Sequence, residues 1–120
     1  MGSCKKFIQE RKRGRLNIIK HDKYVDVLYS KIKAEYDSVE RNVRIYSKKK
    51  RNRQRLVAEI DILAFKEGKY DIYEVKCSHR FYKARRQLEK IKKLLHKESK
   101  MINNSFFYCG ESKMLMNMNS

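Results

Sequence analysis

Leu56-Val57-Ala58-Glu59-Ile60-Asp61-Ile62-Leu63-Ala64-Phe65, Lys66-Glu67-Gly68-Lys69 and Tyr70-Asp71-Ile72-Tyr73-Glu74-Val75-Lys76-Cys77 follow one another without a break. Two apolar runs rich in β-branched and aromatic residues flank a short polar turn with the glycine that hairpins favour. With Glu67-Gly68 as a two-residue loop, Phe65 faces Tyr70, Leu63 faces Ile72, Asp61 faces Glu74 and Glu59 faces Lys76. Side chains alternate along a strand, so this reading puts all eight on one side of the sheet. Two carboxylates directly opposite each other repel and weaken a hairpin.

A divalent cation between Asp61 and Glu74 would turn that repulsion into binding. Lys76, two residues beyond Glu74, shares the face and can hold a water or a phosphate. Phosphodiester cleavage needs an electrophile on a phosphate oxygen and a water deprotonated near neutral pH, and one bound metal ion supplies both. Magnesium takes a few carboxylates plus waters and substrate oxygens rather than an all-protein cage. Lys76 would orient or activate the water and offset charge in the transition state. The bland reading is a pair of exposed acids bridged to lysines. The apolar residues on both sides of each acid argue against it.

Outward from the hairpin, Ser47 to Arg55 has no apolar residue and reads as a loop. Its cations Lys48, Lys49, Lys50, Arg51, Arg53 and Arg55 directly precede the strand bearing Asp61, where they can contact DNA. Val39 to Tyr46 alternates as a strand, and Tyr24, Val25, Leu28, Ile32 and Tyr36 mark a helix over His21–Tyr36. Met1 to Lys20 is a basic arm. Downstream, Phe81, Ala84, Leu88, Ile91 and Leu95 stripe a helix over Phe81–Lys97. Its opposite face carries Lys83, Arg86 and Lys90, further candidates for phosphate contact. Asn103-Asn104 reads as a turn, Phe106–Cys109 and Lys113–Met116 as short strands, and Asn117–Ser120 as a frayed tail.

The stretch Ala58 to Ala64 followed by Ile72-Tyr73-Glu74-Val75-Lys76 resembles motifs II and III of the PD-(D/E)XK nuclease superfamily. The resemblance spans Lys20 to Leu95, and small archaeal-type Holliday junction resolvases are the members of similar size. The chain has no proline, so Asp61 lacks the name-giving residue. The resemblance implies an α/β fold with a restriction-endonuclease-like αβββαβ core, a mixed sheet flanked by helices, plus one extra element. It implies Mg2+, with Mn2+ as a substitute, held by Asp61, Glu74 and the Val75 carbonyl. It implies catalytic roles for Asp61, Glu74 and Lys76, and a helix residue aimed at the site, here Gln87. Without such a role, Gln87 is a boundary glutamine. Glu59 is either structural support for Lys76 or a ligand through water. The superfamily's first motif is an acid in the first helix. Asp22 and Asp26 are available, but the apolar spacing points to His21.

The chain has 120 residues and a formal net charge of +17. That length suits one domain, 21–116, with one modest core. The charge favours a polyanionic partner, nucleic acid before membrane. No apolar run is long enough to span a bilayer, and no apolar segment of a signal peptide follows the basic N-terminus. Three cysteines, Cys4, Cys77 and Cys109, without a CxxC pair indicate neither a disulfide framework nor a zinc knuckle. The expected location is a reducing, cytoplasmic one.

The expected function is therefore a magnesium-dependent endodeoxyribonuclease acting on branched DNA as a homodimer. Its rivals are a general or defence-type DNA nuclease of the same fold and a non-catalytic basic nucleic-acid-binding protein. A cleavage assay on linear, flapped and four-way DNA separates them.

Overall fold

The computed structural model describes residues 18–47 and 54–119. Helix α1 occupies 18–32 of these and tightens into a 3-10 turn at Lys33–Glu35. Strands β1 (Ser38–Ser47), β2 (Arg55–Lys66) and β3 (Lys69–Lys76) follow. Helix α2 (Phe81–Lys97) leads to β4 (Ile102–Cys109) and β5 (Met114–Asn117). The five strands form one sheet in sequence order. Every neighbouring pair is antiparallel except β3–β4, which is parallel, with α2 as the crossover. The chain is thus an α/β protein with a mixed open sheet.

The turn behaves as its residues dictate. Lys66 pairs with Lys69, and both loop residues have positive φ, Glu67 at 51° and Gly68 at 79°. That is the primed turn whose twist matches a two-residue hairpin. Each face of the sheet is covered by one helix. Val25, Leu28 and Ile32 of α1 pack on Ile62, Ala64, Tyr73, Val75 and Tyr108. On the other side, Leu88, Ile91 and Leu95 of α2 pack on Ile60, Leu63 and Ile72, and Ala84 on Phe107 and Cys109. The helix predicted over Phe81–Lys97 is found there. Among the described residues, no helix is long and apolar enough to cross a membrane.

Several boundaries differ from the sequence reading, most of them through polar contacts remote in sequence. Ile18–Lys20, read as the end of the basic arm, are helical; 1–17 lie outside the described residues. Tyr36, read as helical, is extended, and its hydroxyl donates to Asp71 Oδ2 at 2.6 Å and meets the Tyr73 hydroxyl at 2.6 Å. Asn103-Asn104 is not a turn but part of β4, where the Asn104 amide donates to Asp71 Oδ1 at 2.9 Å. Asn117–Asn119 is not frayed: Asn119 Oδ1 accepts from the Ser105 amide and hydroxyl, and its Nδ2 donates to Asn103 C=O and Asn104 Oδ1.

Candidate active site

The site forms where the hairpin ladder stops. β2 and β3 pair from Lys66↔Lys69 to Ile62↔Tyr73. Beyond that fork β2 stays with β1, and β3 stays with β4 through Lys76↔Cys109. The expected Asp61↔Glu74 and Glu59↔Lys76 pairings therefore do not form. Each strand keeps a partner on its outer side, so the two can part without stranding their backbones. The Asp61 side chain fills the gap, Oδ2 accepting the Val75 amide at 2.8 Å in place of a backbone carbonyl. In an extended strand the N–H and C=O of one residue point to the same neighbour. The Lys76 carbonyl accepts from Gly110 on the β4 side. Val75, one residue earlier, directs its amide and carbonyl into the fork.

A second irregularity sits opposite. Arg41 pairs with Ile62 and Val43 with Ile60, but the ladder skips Asn42 and Asp61. Asn42 has φ 53°. Along β2, Ala58 and Ile60 join the α2-side core whereas Ile62 and Ala64 join the α1-side core. Strict alternation would place all four on one face, so the alternation changes phase at Asp61. The expectation that the whole hairpin face is continuous fails here, and the slip frees the Asp61 carboxylate for the fork.

Both acids are buried, Asp61 6% exposed and Glu74 4%. Glu74 Oε1 lies 3.7 Å from Lys76 Nζ, and Oε2 has no hydrogen-bond partner among the described residues. Burial, reinforced by the neighbouring Asp61 charge, pushes the Glu74 carboxyl up to about 9. Burial works against ionisation of Asp61 too. Hydrogen bonds from His21, Glu74 and the Val75 amide outweigh it and hold that carboxyl below its ordinary range. Without metal, the two carboxyls therefore titrate as a pair, in which burial and mutual repulsion favour the singly protonated state.

Of the first-helix candidates, His21 reaches the acids. Its Nε2 lies 3.3 Å from Asp61 Oδ2 and its Nδ1 3.5 Å from Asp22 Oδ1. The Asp61 hydrogen bond raises its pKa, against the effect of burial. Asp26 is paired with Arg41 and plays no part in the cleft. Asp61, Glu74, Lys76, His21, Asp22, Glu59 and Gln87 line one open cleft of about 660 Å3, joined by Ile18, Asn42 and Arg44. Lys76 pairs with Glu74 rather than with Glu59, which lies across from Arg44 on β1. Asn42 and Arg44 were not foreseen. The only sequence signal for Asn42 is that asparagine tolerates a left-handed backbone.

Among the cations, Arg55 opens β2 and is exposed, as are Lys83, Arg86 and Lys90 on α2. Lys48, Lys49, Lys50, Arg51 and Arg53 lie outside the described residues. Among the described residues no three His, Cys, Asp or Glu side chains converge as a ligand cage. The carboxylates, the orphaned Glu74 Oε2 and the Val75 carbonyl instead fit a hard cation that keeps waters and substrate oxygens. No protein-family model matches the chain, and no curated protein matches it.

Proposed function

We propose that this protein is a magnesium-dependent DNA endonuclease with a PD-(D/E)XK-type site on a restriction-endonuclease-like core. The observation that carries the reading is the buried Asp61–Glu74 pair at the strand fork, with Glu74 Oε2 unpartnered and Lys76 Nζ beside Oε1. Burying two adjacent acids costs stability unless something positive joins them. The antiparallel hairpin followed by a helical crossover to a parallel strand is in keeping with that core.

Asp61, Glu74 and the Val75 carbonyl would hold Mg2+ or Mn2+, which when bound polarises a phosphate oxygen and acidifies a water. His21, itself braced by Asp22, keeps the Asp61 carboxylate in place. The Lys76 ammonium offsets negative charge gathering on the phosphate and orients the attacking water. Gln87 offers an amide to that water from the α2 side. Lys83, Arg86, Lys90 and Arg55 hold the phosphate backbone, a contact that positions DNA without reading its sequence.

The finer reading is selectivity for branched DNA by a homodimer. One chain of this size presents one cleft, whereas paired cuts in a junction need two held at a fixed separation. Met114 and Leu115 on the edge strand β5 are 44% and 45% exposed and offer apolar surface for a second copy. The test is incubation with Mg2+ of linear, flapped and four-way DNA, with sedimentation of the free protein. Paired cuts in the four-way DNA by a dimer are expected. No cleavage of any substrate with Mg2+ or Mn2+ overturns the nuclease reading. Equal cleavage of all three by a monomer keeps the chemistry and removes junction selectivity.

A further inference from the structure

A second cavity, of about 420 Å3, adjoins the cleft and shares Ile18, His21 and Lys76 with it. Its remaining wall brings together Lys20 from α1, Tyr24, and Ser78 and Arg80 from the link between β3 and α2. Two cations and a hydroxyl donor thus come from segments far apart in sequence, against a single acid, Glu111, at the rim. Arg80 directly precedes α2, whose first turn has no acidic residue and no side-chain cap. The mouth of the cavity therefore carries positive charge on two sides. The acids of the catalytic cleft repel an anion until metal neutralises them. This neighbouring cavity, with Lys20, Lys76 and Arg80 to one acid, attracts one without metal.

We infer that this cavity is a phosphate subsite, in which Lys20, Ser78 and Arg80 bind the phosphate adjoining the scissile one on the cleaved strand. The inference rests on the nuclease reading for which strand is bound, though not for the anion chemistry of the cavity. A strand with its scissile phosphate at Asp61 and Glu74 passes over His21 and Lys76, which line both cavities, and places its next phosphate between Lys20 and Arg80. Arg80 supplies a planar donor fork suited to phosphate oxygens and Lys20 a point charge. Tyr24 gives an apolar wall for the intervening sugar.

The test uses the full chain and the DNA it cleaves, four-way by expectation, with the cut mapped and a single uncharged methylphosphonate placed on one side or the other of the cleaved bond. In the wild type, one of the two positions is expected to raise KM about tenfold, the scale of a lost charged hydrogen bond. Lys20→Ala with Arg80→Ala should raise KM for the unmodified DNA by a similar factor, with the change in KM rather than kcat. The methylphosphonate at that position should then add nothing further. Additive effects at both positions overturn the subsite. Should no form of the protein cleave DNA, the nuclease reading has failed by itself, and inorganic phosphate becomes the probe. Amide NMR shifts at Lys20, Ser78 and Arg80 that vanish in the double variant uphold the subsite, and their absence in the wild type overturns it.

Discussion

The Asp61 carboxylate and the Val75 amide are joined at 2.8 Å across the gap left where β2 parts from β3. The same oxygen lies 3.3 Å from His21 Nε2. Asp61 is therefore a structural member of the sheet as well as a candidate ligand, and the two roles separate by substitution.

Asp61→Asn keeps an oxygen that can accept the Val75 amide. Cleavage should fall by about 10²–10³-fold or more, as for loss of one preorganised charge-stabilising group, while stability changes little and DNA binding persists. Asp61→Ala should lose cleavage equally and also about 1–3 kcal/mol of stability, because it strands a buried amide. Urea unfolding beside a cleavage assay checks both. Near wild-type cleavage by Asp61→Asn would remove it from the metal site.

Glu74 makes stability depend on pH in the metal-free protein. Its carboxyl titrates at its ordinary value of 4.5 when unfolded and is pushed up to about 9 when folded. Between those values the folded state binds more protons than the unfolded one, so this residue's contribution is full below 4.5 and is lost as pH rises towards 9. Glu74→Gln should flatten that fall. Melting curves in chelator across this window should show the wild type approaching or dropping below the variant at the alkaline end. Parallel curves would contradict the burial of an ionisable Glu74.

Metal should reverse the same penalty. At ten times its dissociation constant, Mg2+ should stabilise the protein by about 1.4 kcal/mol, or several degrees in Tm. Glu74→Gln should show little of this shift. Calorimetry that finds equal shifts in both proteins would place the ion elsewhere.

Gly110 is a test of packing rather than chemistry. A Cβ there would run into the Tyr24 ring. Gly110→Ala should cost about 1–3 kcal/mol by overpacking. In a Tyr24→Ala background, the alanine should cost much less, a coupling that chemical denaturation of the four proteins measures directly.

DNA affinity should depend steeply on salt. With roughly six to ten phosphate contacts, binding falls by about three to five decades between about 50 and 200 mM salt. Lys83→Ala and Arg86→Ala should each lower the slope, read from fluorescence anisotropy. A flat response would show that α2 is not the binding face.

The local parts of this fold were legible in the sequence and the non-local ones were not. Glu67-Gly68 announced the turn, and the register follows as far as Ile62↔Tyr73. The apolar stripe of α2 gave its bounds. Asp61, Glu74, Lys76, His21 and Gln87 do share one cleft. The fork itself was invisible, because alternation carries no mark of where two strands cease to pair. Asn42 was equally silent, since one left-handed residue leaves the apolar pattern of β1 almost unchanged. The sequence reading of Asn103, Asn104 and Asn119 as turn and tail residues was natural from composition. Asn104 is tied within β4 to Asp71, and Asn119, beyond β5, is tied to Ser105 and Asn103, all partners remote in sequence.

Past the fork, β3 has a backbone ladder on one side only. Glu74 and Lys76 pair with Phe107 and Cys109 of β4, while on the β2 side the Asp61 carboxylate reaches the Val75 amide in place of a ladder. Synthesis runs from the N-terminus, so the hairpin is made before β4, the strand that fixes its end. A nascent chain therefore holds every acid and lysine of the cleft well before it can hold them in place. The last third of the polypeptide, which brings β4, therefore sets when the open end of the hairpin is fixed.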